Sequence, residues 1–203
     1  MPLHQTVLKP APIAERHPLE PFLPSHAKIL MLGSFPPPRE RWTMDFYYPN
    51  FQNDMWRIFG IVFFDDRDYF IASNAKSFKE AAIRQLLTAK GIALYDTAEE
   101  VIRQKGNASD QFLEIVKPVD LPTILSQIPQ CNTIVTTGQK ATETLMQLIA
   151  VEQIPPVGGY IDTTYLQRTI RCYRMPSSSR AYPKSLADKA TAYRQLFSDA
   201  YLL

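Results

Sequence analysis

Residues 28–33 read Lys-Ile-Leu-Met-Leu-Gly, a short continuous apolar run that ends at a glycine. An unbroken apolar run, rather than an alternating one, is typical of a strand that is buried on both faces of a sheet. Similar short runs follow at 92–95 and 133–136, and segments with helical patterns separate them. Strands that alternate with helices predict a central, mostly parallel sheet between two helical layers, a three-layer α/β/α fold.

The remaining elements follow from capping residues and apolar spacing. Asn53 is the predicted N-cap of the first helix, and Gly91 is predicted to end the second. Residues 160–175 alternate well enough to form a strand hairpin. Helices are predicted at 54–59, 77–90, 98–105 (closed by Gly106), after Asp120 with Pro122 in the first turn, at 139–149 and at 185–200.

A chain of 203 residues with 45% apolar and 21% charged residues suits one globular domain. Prolines cluster near its start, so residues 1–26 predict an extended N-terminal arm and residues 27–203 the α/β domain. No segment approaches the roughly 18 consecutive apolar residues of a membrane span, and no signal-like run opens the chain. We therefore expect a cytoplasmic monomer.

Charge and cysteine usage set further limits. The net charge is only +2, so any basic, nucleic-acid-binding face must be local. Cys131 and Cys172 lie in strand-like stretches and are predicted to be buried free thiols, with a disulfide as the alternative. All the histidines fall within the first 26 residues, and no Cys/His cluster predicts a metal site. No cofactor is expected.

Ligands of a doubly wound sheet bind beyond the carboxyl ends of its strands. The candidate site should therefore combine the segments that leave those ends. These segments are residues 33–36, 96–97, 137–140 and 176–179.

Several of these segments, taken in order, resemble the uracil-DNA glycosylase superfamily. The first motif corresponds to Gly-Ser-Phe-Pro at 33–36, Phe-Tyr-Tyr at 46–48 and Gln-Asn-Asp-Met-Trp at 52–56. The second corresponds to Met-Pro-Ser-Ser-Ser-Arg-Ala-Tyr at 175–182, and residues 91–96 and 137–141 resemble the intervening segments. The set is closest to the hypoxanthine-DNA and the mismatch-specific uracil/thymine branches.

The resemblance implies a cofactor-free enzyme that flips a nucleotide out of DNA and hydrolyses its N-glycosidic bond. It makes Asn53 the leading catalytic candidate, although Asn53 could instead only cap its helix. Asn50, at the position of the usual histidine, is the substitute. Tyr48 is the first choice to stack on the base. The implied base-binding residues are Gly33, Ser34, Phe35, Phe46, Tyr47 and Tyr48, and the implied phosphate-binding residues are Ser177, Ser178, Ser179, Arg180 and Lys140.

The chain departs from the family at two polar positions. Phe35 replaces the aspartate or asparagine of the uracil branch, and Met175 replaces the histidine that stabilises the leaving base. The hypoxanthine branch also lacks the first of these groups. Asp96 could be a structural cap or an acceptor in the pocket.

Other functions stay open. The substitutions at Phe35 and Met175 favour, as an alternative, a catalytically weak or inactive nucleic-acid-binding protein on the same fold. A small-molecule hydrolase with Ser177 as nucleophile is a third interpretation. That interpretation lacks a Gly-x-Ser-x-Gly motif and any histidine beyond residue 26.

Overall fold

The computed structural model describes residues 13–73, 76–104 and 112–203. Strand β2 (Ile29–Gly33) is an inner strand of the five-stranded main sheet, and every residue in it is buried. Strands β3 (Ile92–Asp96) and β6 (Thr133–Thr137) flank it, both parallel to it and both buried throughout. Strands buried in this way need a covering layer on each face of the sheet. The predicted three-layer α/β/α fold with a mostly parallel sheet is confirmed.

The sheet has the order β3-β2-β6-β8-β7. Strand β8 (Arg168–Met175) runs parallel to β6, and β7 (Gly159–Tyr165) closes the edge antiparallel to β8. Leu166 and Gln167 join β7 to β8 with positive φ angles of 51° and 59°. Two positive φ angles match the right-handed twist of a two-residue hairpin. The predicted hairpin is confirmed.

The helices cover the sheet and confirm most of the predicted elements. Asp120 caps its helix by accepting a hydrogen bond from the Thr123 backbone N–H, and Gly91 ends another at a φ of 65°. The first and last helices contact each other where Phe59 and Phe63 meet Phe197, with ring centroids 5.2 and 5.0 Å apart. The helices are α1 (Met55–Phe64), α2 (Glu80–Lys90), α3 (Leu121–Gln127), α4 (Gln139–Leu148) and α5 (Leu186–Asp199).

The helix predicted at 98–105 is wrong. This segment forms β4 (Ala98–Arg103), which pairs antiparallel with β5 (Leu113–Pro118) in a second sheet. Ala98 and Val101 are its buried residues, and the register with β5 shifts between them. Such bulges break the two-residue alternation of a strand, so buried side chains fall three apart, as they would in a helix. Gly106 lies outside the described residues.

The described part of the N-terminal segment, residues 13–26, packs along both sheets. Strand β1 (Glu15–Arg16) pairs antiparallel with β4. Further on, Phe22 exchanges both backbone hydrogen bonds with Leu94 of β3, at 2.9 and 3.0 Å. This segment therefore links the edge of the main sheet to the second sheet.

Two further features are the state of the cysteine thiols and the length and polarity of the helices. Cys131 and Cys172 are buried and free, as predicted, and burial raises their pKa values to about 11 and about 12. Across the described ranges, every helix is too short or too polar to cross a membrane.

Gly60 in α1 offers a test of this packing. A Cβ at this position would lie 2.3 Å from the backbone oxygen of Asp66. Alanine normally stabilises a helix by about 1 kcal/mol relative to glycine. Here we expect Gly60→Ala to lower the free energy of unfolding by about 1–3 kcal/mol, because the backbone must move.

Urea denaturation checks this expectation. Thr191→Ala, on the exposed face of α5, is the matched control and should change the stability by less than about 0.5 kcal/mol. A Gly60→Ala protein as stable as the wild type would contradict the packing described at the end of α1.

Candidate functional site

A cleft of about 540 Å³ opens at the carboxyl ends of β2, β3 and β6. The chain leaves β2 toward β3 and leaves β6 toward β8, on opposite sides. The boundary between β2 and β6 is therefore a topological switch point, where ligands of such sheets bind. We call this opening the strand-end cleft. It is lined by residues 33–37, Arg41, 47–50, Asn53, Asp96, Thr137, 177–179 and 181–183.

Most of the residues predicted for the site meet in this cleft. Asn50 and Asn53 line it, as do the serines at 177–179. So do all the predicted base-binding residues except Phe46. Arg180 and Lys140 are absent from the lining; Arg180 follows the serines directly and is exposed.

The structure places Phe46 in the core instead, where only 2% of it is exposed. Its ring stacks on Trp56 at 6.3 Å and meets Phe22 edge-on at 5.3 Å. The guanidinium of Arg84 covers it at 3.9 Å. The prediction of Phe46 as a pocket wall is wrong, because its side chain points away from the cleft that Tyr47 and Tyr48 line.

The two tyrosines contribute differently. Tyr47 is almost fully buried, and its hydroxyl donates to the backbone oxygen of Glu20 at 2.8 Å. Burial raises the pKa of Tyr47 well above its usual range, so the phenol stays neutral. Tyr48 is half-buried, and its hydroxyl shares a 3.2 Å hydrogen bond with Thr137 Oγ1. It adopts a φ of 50°, a left-handed conformation that is rare for an aromatic residue.

Asn53 lines the cleft next to the start of α1. Asp54, not Asn53, is the residue that flanks the start of α1, which corrects the predicted N-cap. Asn53 Oδ1 nevertheless accepts a hydrogen bond from the Met55 N–H at 2.9 Å. Asn50 Oδ1 accepts one from the Gln52 N–H in the same way. Each amide oxygen therefore has one backbone partner, and the NH₂ group is the donor that each asparagine can offer a ligand.

Asp54 joins the two halves of the cleft. Its backbone N–H donates to Ser178 O at 2.9 Å. Its carboxylate accepts from Lys189 Nζ at 3.0 Å and from Arg180 Nε at 3.4 Å. Lys189 is fully buried, and its ammonium also donates to Ser179 O at 2.8 Å. The beginning of α1 and the serine loop (residues 177–179) are thus fixed against each other.

The serine loop has its own internal geometry. Ser177 Oγ accepts from the Ser179 N–H at 3.2 Å, and Ser179 Oγ accepts from the Ala181 N–H at 3.3 Å. These bonds use hydroxyl oxygens as acceptors and leave the hydroxyl protons to donate to a ligand. The loop can therefore present donors to an anion.

No feature of the sequence predicted that Asp96 and His17 lie next to each other. Asp96 ends β3, lines the cleft and is 6% exposed. Its Oδ2 lies 2.8 Å from Nε2 of His17, which comes from the N-terminal segment. Their spacing of 79 residues carries no local signal. Met175, by contrast, is buried and lies outside the lining, whereas Phe35 lines it.

A second cavity, of about 510 Å³, lies at the opposite end of the parallel strands, where β2, β6 and β8 begin, around Lys28, Asn132 and Thr169. Two of its charged groups pair with each other: Arg171 donates to both carboxylate oxygens of Asp162 at 2.8 and 2.9 Å.

No family model matches this chain, and no curated protein is significantly similar to it. Among solved structures, it is similar to the solution NMR structure of a candidate uracil DNA glycosylase from Methanosarcina acetivorans. The two are 22% identical, with a TM-score of 0.58 over 91% of this chain and 99% of that chain. The likeness shows that the two chains share a fold.

The Asp54 contacts can be tested by replacing, one at a time, the two cationic side chains that bind its carboxylate. We expect Lys189→Met to lower the free energy of unfolding by about 3–5 kcal/mol, because it leaves a buried carboxylate without its closest partner. Arg180 is 54% exposed, so Arg180→Met should cost less than about 1 kcal/mol. Urea denaturation of both variants measures the difference, and equal effects would contradict the role given to Lys189.

Proposed function

We propose that this protein is a DNA glycosylase of the uracil-DNA glycosylase superfamily that removes a deaminated base from DNA. The observation that carries the proposal is the junction at Asp54. It holds residues 50–53 (the asparagine segment, with Asn50 and Asn53), which would act on a base, against the serine loop, which would hold a phosphate. A flipped nucleotide needs both contacts at once. The shared fold with the Methanosarcina acetivorans protein supports the same assignment.

The base would enter the strand-end cleft, whose volume lies in the usual range of about 300–1,000 Å³ for ligand pockets. Tyr48 provides an aromatic face that is fixed through its hydroxyl to Thr137. Stacking on such a face contributes binding that depends little on base identity. Gly33 and Ser34 bring the backbone at the end of β2 to the same place.

The serine loop would hold the phosphate beside the flipped nucleotide. Its hydroxyl and backbone donors suit phosphate oxygens. Arg180 adds positive charge next to the loop, and it stays 54% exposed although it pairs with Asp54. Lys140 follows the start of α4 and would add charge only at the margin, because it lies outside the lining.

In the reaction, water adds its OH to C1′ of the sugar while the C1′–N bond breaks and its electron pair leaves with the base. The base gains a proton, so the products are a free base and an abasic site. The Asn53 NH₂ group would donate to the departing base and stabilise its developing charge. Because Phe35 offers no polar group, we favour hypoxanthine over uracil as the preferred lesion.

A non-catalytic lesion-binding protein is the second candidate. Phe35 is the observation that favours it, since this residue lines the cleft where a polar group would help to position water. A Ser177 hydrolase has less support. The described histidines bond elsewhere, His17 to Asp96 and His26 to Thr88 O, and His4 lies outside the described residues.

Asn53→Asp separates catalysis from helix capping. The aspartate keeps an oxygen for the Met55 N–H but removes the NH₂ donor. We expect it to fold with near wild-type stability and to lose about 100- to 1,000-fold in excision rate. Asn53→Ala should lose both the rate and about 1 kcal/mol of stability.

The assay uses single-turnover kinetics on duplexes that carry hypoxanthine, uracil, xanthine or a G·T mismatch. Abasic product from at least one lesion is expected for the wild type. Folded wild-type protein that binds lesion DNA but releases no base would favour the non-catalytic candidate. Full activity of Asn53→Asp would remove Asn53 from the mechanism.

A further inference from the structure

The base of the strand-end cleft contains one carboxylate among the described lining residues, that of Asp96. Its Oδ2 bonds to His17, and its Oδ1 lies above Gly33. A Cβ at Gly33 would be 2.3 Å from Oδ1 and 3.7 Å from the Tyr48 hydroxyl. The absent side chain at Gly33 therefore lets the carboxylate approach the backbone of β2, beside the ring that we propose stacks on the base.

His17 holds this carboxylate through a hydrogen bond to its Oδ2 atom. Its side chain is 2% exposed, and its ring contacts Phe35 edge-on at 5.2 Å and Tyr95 at 4.7 Å. Nε2 faces a carboxylate oxygen and therefore donates to it. Nδ1 lies 2.8 Å from Leu19 O and 3.1 Å from Leu19 N. Both ring nitrogens of His17 therefore have hydrogen-bond partners.

The segment that carries His17 is itself anchored around the cleft. Glu15 pairs with Arg103 at 3.0 Å, and Arg103 also donates to Pro36 O. Farther along, Glu20 O accepts the hydroxyl of Tyr47. These contacts fix the N-terminal segment on both sides of His17, so the position of Asp96 depends on residues that precede the central sheet.

On the asparagine side of the cleft, the amide oxygens of Asn50 and Asn53 each accept one backbone N–H, and their NH₂ groups can donate to a ligand. A carboxylate is the complementary group, because an ionised carboxylate only accepts. Deamination changes the same property of a base: adenine N1 and cytosine N3 are acceptors, whereas the corresponding nitrogens of hypoxanthine and uracil carry hydrogen.

We propose that His17 is a positioning residue that presents Asp96 Oδ1 to the flipped ring as a fixed single acceptor, selecting bases whose ring nitrogen carries hydrogen. This inference rests on the proposed function, since it assumes that a base enters the cleft. With Oδ2 held by His17, a ring nitrogen that also accepts would meet Oδ1 without a hydrogen between them. Such a mismatch leaves both groups unpaired in a desolvated site, and this is the penalty that discriminates.

The test compares binding rather than cleavage. Fluorescence anisotropy at fixed salt gives the affinities for duplexes with hypoxanthine or adenine opposite thymine, each on a 2′-fluorinated sugar that resists hydrolysis. The wild type should prefer hypoxanthine, and His17→Leu should reduce this preference by roughly 10- to 100-fold. His17→Gln, whose amide can still donate to Asp96, should recover part of it.

Arg16→Gln is the matched control, because Arg16 of β1 directly precedes His17, is 88% exposed and pairs with Glu100 on the surface. It should keep the wild-type preference. Asp96→Asn is a second route if His17→Leu folds poorly, which its melting temperature will show. His17 keeps the amide oxygen, so the NH₂ group faces the cleft and the preference should shift toward adenine.

An unchanged preference in folded His17→Leu or Asp96→Asn would overturn the inference, as would a wild type that does not discriminate between the bases. Excision by the wild type with a preference independent of His17 would leave the proposed function standing and the inference refuted. If the preference depends on His17 but the protein excises no base, the inference would stand and the proposed function would be refuted.

Discussion

The carboxylate of Asp54 is the point on which the cleft depends. It is buried at the start of α1, and it binds Lys189 from α5 as well as Arg180, which directly follows the serine loop. A buried carboxylate is costly unless it is paired, so α1, α5 and the loop have to be packed together for any of them to be stable. The aromatic contact between α1 and α5 through Phe59 and Phe197 strengthens the same junction. The position of Asn53 relative to the serine loop is therefore set by the core, not by the loops alone.

A second constraint comes from the N-terminal segment. Its backbone pairs with both sheets, and its His17 occupies the side of Asp96 that faces away from the cleft. The cleft therefore depends on supporting residues such as His17, Asp54 and Lys189, which the fold brings together from distant parts of the sequence. Each asparagine oxygen accepts the backbone N–H two residues further along the chain, and the Asp96 carboxylate lines the cleft from a different element.

The sequence predicted the sheet and the meeting of the strand ends, because parallel strands bring their carboxyl ends to one edge and apolar runs mark them clearly. It failed at β4, where bulges give buried residues a helical spacing. It failed at Phe46, because local sequence does not say which of three consecutive aromatic residues points inward. The partners of Asp54 and Asp96 are 135 and 79 residues away, beyond any local pattern. A lysine on the apolar face of α5, at Lys189 beside Ala190 and Tyr193, was the one available signal.

The central claim is that the asparagine segment and the serine loop hold one flipped nucleotide between them. Backbone amide chemical shifts, recorded while a duplex with a single hypoxanthine is added to labelled protein, test it most directly. We expect the amide signals of Gly33, Asn53 and the serine loop to shift together at one affinity. The signals of Asn132 and Thr169 at the opposite cavity should stay unchanged. Shifts confined to the opposite cavity, or to the serine loop without Gly33 and Asn53, would contradict it.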